Sequence, residues 1–161
     1  MKFSRIALIF FVLVSLDQLS KFFITSSLTE GSSIELLPIL NLTLIFNSGI
    51  AFSLFDDNGV WGRWVLVGLV TLVLLYLARI LIKEKNLSSY ESLALTLILC
   101  GGAGNLIDRI FIGHVVDFIH VFYQEYSFYV FNFADSYITI GVMLYLIYIL
   151  FIGEEKEADA N

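Results

Sequence analysis

A chain of 161 residues that is 58% hydrophobic and only 15% charged, with a mean hydropathy of +0.87, has a membrane protein's composition rather than a water-soluble core's. Its net charge of −6 misleads as a whole-chain figure, because Glu154, Glu155, Glu157 and Asp159 crowd a solvated acidic tail over 153–161. The absence of a basic patch excludes nucleic-acid binding, and the single Cys100 excludes an internal disulfide or a multi-cysteine metal site.

Lys2 and Arg5 precede a long apolar run that resumes after Lys21 and lacks an A-x-A cleavage site. A retained spanning helix over about 4–25 is therefore expected rather than a cleaved signal peptide. Asp17 and Lys21 lie four apart on one helix face and can pair. Residues 26–61 do not have the character of a span. TEGSS is a loop, NLTLIFN alternates like a half-buried strand, NSG is a turn around Asn47 and Gly49, and IAFSLF is a second extended run before the DDNG turn. Together they predict a small amphipathic β-segment at the membrane surface.

A second spanning helix is expected over about 62–82, ended by Arg79, Lys83 and Lys85. Ser88 or Ser89 can cap a third helix over about 90–110. Its GGAG stretch permits close helix approach, and Asn105, Asp108 and Arg109 share one face. An outer loop over 111–132 leads to a fourth helix over about 133–152, giving a single integral domain in four spans. The fold class expected is an all-α membrane protein with a small extracytoplasmic β-segment and a periplasmic loop. Six of the nine basic residues (Lys2, Arg5, Arg79, Lys83, Lys85, Lys156) then fall on one side, which the positive-inside rule makes cytoplasmic, with both termini. Lys21, Asn47, Asn105, Arg109, Asp117, Asn132 and Asp135 gather toward the outer face, with Asp17 a turn deeper.

Asp117 in VVDFI and Asp135 at the head of an apolar helix have no basic neighbour in sequence. Burial of this kind raises a carboxyl pKa, and two such groups meeting in space can share a proton and act as acid and base. The plain alternative for Asp135 is helix capping. No HExxH and no GxSxG is present. His114, Asp117 and His120 suit a metal only in an irregular loop, so no metal or other cofactor is expected. A carboxylate pair beside amides and an arginine suits peptide hydrolysis. The rival class is a small transporter or ion-relay protein using buried Asp and Lys.

DQLSK (17–21), NSGIAFSLF (47–55), GGAGNLIDR (101–109), VVDFI (115–119) and FNFADSYI (131–138) together resemble the lipoprotein signal peptidases, the type II signal peptidases of bacteria. The resemblance spans nearly the whole chain, with the motifs in the family's order and spacing. It implies a multi-pass aspartyl protease of the bacterial cytoplasmic (inner) membrane, with its active site toward the outer leaflet. Its substrates are diacylglyceryl-prolipoproteins, cut just before the lipidated cysteine. Asp117 and Asp135 would be catalytic. Asn47, Asn105, Arg109 and Asn132 would bind substrate, and Asp17, Lys21, Gly49 and Asp108 would support them. A monomer among membrane lipids, inhibited by the cyclic peptide globomycin, completes the expectation.

Overall fold

The computed structural model describes residues 1–49 and 60–152. Its elements run α1 (Phe3–Ser27), β1 (Ser33–Leu37), β2 (Leu40–Asn47), α2 (Val60–Lys83), α3 (Ser89–Phe111), β3 (Val115–Tyr123), β4 (Tyr126–Ser127) and α4 (Phe133–Ile147). A π-helical turn, Tyr148–Ile152, extends α4. All four helices are long and apolar enough to cross a membrane. At 1.5 Å per residue the 25 residues of α1 reach about 37 Å, more than the ~30 Å hydrocarbon core. Phe11, Leu72 and Met143 stand exposed on the outside of α1, α2 and α4, as lipid-facing side chains must.

The bundle is organised around α3. In its most apolar stretch 56% of residues are buried, against 6–11% in the other three helices. Each of the others packs on α3, while α1 and α2 scarcely touch one another. The GGAG stretch makes this possible. A Cβ at Gly101 would strike the Ala134 carbonyl of α4, one at Gly102 the Leu74 side chain of α2, and one at Gly104 the Asp17 carboxylate of α1. Small residues let backbones approach where hydrocarbon offers no solvophobic drive of its own. Ser88 and Glu91 form a reciprocal capping box that starts α3.

At one end of the bundle lies an antiparallel sheet in the order β1-β2-β3-β4. NLTLIFN is β2 as expected, but its hairpin partner is SIELL, reached through a turn at Pro38–Ile39. SIELL, a short run outside the two extended segments expected in 26–61, is thus a strand as well. IAFSLF and DDNG lie outside the described residues. The largest difference is in 111–132, read as a loop. It holds β3 and β4, and β3 pairs along β2 from Leu40↔Val121 to Asn47↔Val115. That pairing joins segments some seventy residues apart, and local patterning does not register it. Val115–Phe118 are all buried, as befits a central strand covered on both faces.

Candidate active site

The sheet, the C-terminal end of α3 and the N-terminal start of α4 bring the polar residues together. Asn132 is the N-cap of α4, and Asp135 closes the capping box three residues on. The Asp135 amide donates to Asn132 Oδ1 (2.9 Å), and the Asn132 amide donates to Asp135 Oδ2 (3.2 Å). Capping and site chemistry are thus the same contacts here. The fully buried Asn132 also turns its Nδ2 toward Asp117 Oδ1, 2.6 Å away. One residue therefore ties both carboxylates, Asp117 through its side-chain NH2 and Asp135 through its backbone N–H. Ile45 is the cross-strand partner of Asp117, which puts Asn47 diagonally beside it on the same face. Asn47 Nδ2 donates to Asp117 Oδ2 at 2.9 Å, and Asn47 Oδ1 accepts from the Gly49 amide at 2.9 Å. Gly49 takes φ +78°, which a side chain would resist, so the turn itself aims the Asn47 carboxamide.

Asn105 supplies the matching donor to the other carboxylate, Nδ2 to Asp135 Oδ1 at 2.7 Å. Its amide is held that way round because Lys21 Nζ donates to its oxygen at 3.0 Å. Lys21 is buried and also bridges Asp17 and Asp108, each at 2.8 Å. Asp17 in turn accepts the Ala134 amide at 2.9 Å, placing an anion at the positive end of α4. Asp108 accepts from the backbone of Val116 (3.3 Å), which anchors β3 to α3. Arg109 donates to the Asn105 carbonyl at 3.2 Å, and its buried Nε has no partner among the described residues.

The two carboxyls differ in surroundings. Asp117 is 2% exposed, and burial, helped by the nearby Asp135 charge, pushes its pKa up to about 6 against the opposing pull of Asn47, Asn132 and Lys21. Asp135 is half-buried and borders an apolar groove of about 410 Å³ walled by Phe128, Tyr129, Phe131, Thr139 and Ile140. His114 and His120 stand apart from this centre. His114 packs on the Phe46 ring and is held by burial below the ordinary histidine range. His120 bonds Thr43 (3.2 Å) and Ser127 (2.7 Å). Among the described residues no three His, Cys, Asp or Glu side chains converge as a metal site would require.

Two further residues, Gln18 and Arg63, contribute that are not among the expected site residues. Gln18 Nε2 lies within hydrogen-bond distance of Asp108 Oδ1 (2.9 Å), the Gly104 carbonyl (3.1 Å) and Asp17 Oδ2 (3.2 Å). A third polar residue in an apolar helix was its signal. Arg63 reaches from α2 to the Arg109 and Ile110 carbonyls at 2.7 and 2.6 Å, closing the C-terminus of α3. Its signal was a base at the end of the bundle opposite the six cations expected on the cytoplasmic side, an end it shares with Lys21 and Arg109.

The sequence model of the family described as Signal peptidase (SPase) II matches residues 9–151. The chain belongs to the signal peptidase II family. A lipoprotein signal peptidase of Acinetobacter baumannii is 40% identical over 148 residues, 92% of this chain and 84% of that one. One from Streptococcus pyogenes serotype M1 is 42% identical over 137 residues, 84% of this chain and 86% of that one. Two solved structures described as bacterial membrane enzymes, determined by the in meso method at 2.3 and 1.9 Å resolution, superpose with TM-scores of 0.80 and 0.83. They are 33% and 32% identical, covering 92% and 93% of this chain and 88% and 95% of theirs. As a signal peptidase II with four apolar spans, the chain is a multi-pass bacterial membrane protein and a peptidase. The reading as a small transporter or ion relay using buried Asp and Lys is not favoured, since the family model and the relatives are those of signal peptidases.

Proposed function

We propose that this chain is an aspartic endopeptidase that removes signal peptides from diacylglyceryl-modified prolipoproteins, cutting just before the lipidated cysteine. The observation that carries the catalytic assignment is the pair Asp117 and Asp135 tied through Asn132, each with a second amide donor. Asp117, the more deeply buried, holds the shared proton, and Asp135 is the anion bordering the groove. Asp135 takes a proton from water as the water oxygen attacks the scissile carbonyl carbon. Asp117 gives its proton to the carbonyl oxygen, so the tetrahedral intermediate is neutral. Collapse then breaks the C–N bond: the leaving nitrogen takes the proton that Asp135 gained, and one hydroxyl of the intermediate returns its proton to Asp117, which gives the carboxylic acid product and restores the singly protonated pair. Asn47, Asn105 and Asn132 orient the carboxylates and the peptide. Arg109, with a buried donor left over, holds a substrate carbonyl.

Orientation follows from charge. The helix ends remote from the sheet carry Lys2, Arg5, Arg79, Lys83 and Lys85, so both termini are cytoplasmic and the site faces the outer leaflet. The family resemblance further implies an enzyme that works as a monomer and is inhibited by the cyclic peptide globomycin. The test is incubation of the purified protein in detergent with a diacylglyceryl-prolipoprotein and with its unlipidated form. Cleavage of the lipidated form alone, lost in Asp117→Asn and in Asp135→Asn, is expected. Retained cleavage in either variant would remove the two-aspartate mechanism.

A further inference from the structure

A second groove lies away from the aspartates. It runs between α1 and α2 over the surface of α3, has a volume of about 410 Å³, and is floored by Leu99 and Leu106. Its walls hold one alanine from each helix: Ala7, Ala78 and Ala103. These small residues and the lack of α1–α2 packing make the space. Of its two hydroxyls, Thr71 donates to the Val67 carbonyl (2.7 Å) and Thr96 to the Ser92 carbonyl (2.6 Å), so nothing in the groove asks for water.

Its dimensions select the occupant. On α2 it extends from Thr71 to Ile82, about 16 Å at 1.5 Å per residue, which is half the ~30 Å hydrocarbon core. That is the depth of one leaflet. A peptide helix about 10 Å across would fill the volume in roughly one turn, whereas a single hydrocarbon chain runs its length. The end nearest the membrane surface is bounded by Phe3 and Ile82, whose chain neighbours are Lys2 and Lys83, with Arg79 one residue beyond Ala78. All three bases are exposed, and the ion pairs among the described residues all belong to Lys21 instead. Exposed cations one residue from the lining at the end of a leaflet-deep apolar slot complement an anionic headgroup on an acyl chain.

We propose that this groove binds one anionic phospholipid of the leaflet at the basic end, with an acyl chain between Ala7, Ala78 and Ala103 and its phosphate at Arg79 and Lys83. The site is separate from the aspartates, and its occupant is a membrane lipid rather than the lipidated substrate.

Native mass spectrometry of the full chain, delipidated and supplied with phosphatidylglycerol or phosphatidylcholine, tests it. The wild type should keep a single phosphatidylglycerol with a preference on the order of 30-fold, the worth of two surface charges. Ala78→Leu or Ala103→Leu, which fill the slot, should lose that lipid, and Arg79→Gln with Lys83→Gln should equalise the two lipids. A photoactivatable phosphatidylglycerol with its reactive group on the acyl chain needs no variant, and should label Phe10, Leu74 or Leu106. Equal retention of both lipids by the wild type would overturn the proposal. So would an unchanged Ala78→Leu, labelling confined to other faces, or displacement of the lipid by a synthetic signal peptide.

Discussion

Asp117 offers a test in which activity and stability move in opposite directions. Its pKa rises from the ordinary 3.8 to about 6, chiefly through burial. The folded protein therefore binds this proton more tightly than the unfolded chain does. The stability that this contributes is complete below about pH 4 and is lost as pH climbs through 6. Two units correspond to ~3 kcal/mol, the cost of holding the ionised group in the fold at pH 8. Asp117→Asn removes the ionisation but sets its amide nitrogen against the donor of Asn132 or Asn47, forfeiting about 1 kcal/mol of hydrogen bonding. The variant should then gain about 2 kcal/mol at pH 8, or ~4–8 °C in unfolding midpoint for a chain of this size. At pH 4 it should gain nothing. Thermal unfolding in detergent at both pH values, wild type against variant, isolates this residue from other titrating groups. Cleavage of a lipidated prolipoprotein should be absent in the variant at either pH. A variant with the same dependence on pH as the wild type would refute the reasoning, because Asp117 would then carry no buried-charge cost.

Lys21→Met strands Asp17 and Asp108 in the interior and frees the Asn105 amide to rotate, so a loss of about 3–5 kcal/mol is expected in the same unfolding assay. Gly101→Ala drives a methyl into the Ala134 carbonyl and should lower kcat by shifting the start of α4, whereas Gly68→Ala meets open space and should cleave like wild type. The Asp117→Asn, Asp135→Asn double variant should be no slower than either single one, as rate measurements on residues acting as a unit would reveal. Chelators should leave cleavage unchanged, as should His114→Ala with His120→Ala. Activity lost on chelation and restored by zinc would reinstate a metal.

Four spans are legible because a membrane imposes a length and polarity that a sequence must satisfy locally. The pairing of Asp17 with Lys21 was legible too, being a matter of helical spacing. The rest of the charge cluster was not. Nothing local says that Lys21 also meets Asp108, or that Asp17 meets the amide of Ala134 more than a hundred residues on. VVDFI as a central strand was hidden for the same reason, since its partner β2 precedes two whole helices. Asp135 reads in sequence as either a helix cap or a site residue; the N-cap is Asn132, with Asp135 in the first turn. The alternatives are not exclusive, because the Asn132 carboxamide caps the helix with its oxygen and has its NH2 to spare for Asp117.

The notches along α3 carry a consequence for how the molecule is made. Synthesis delivers α1 and α2 to the bilayer first, and the two have almost no surface in common. Until the third helix arrives with its glycines, they can only drift as separate rods in lipid. Even then Asn132 and Asp135 are still to come, so a chain that ends before the fourth helix is without one aspartate of the proposed pair. On the two-aspartate mechanism proposed above, a peptidase embedded among its own kind of substrate, membrane-inserted chains, stays inert until its last helix is threaded and docked.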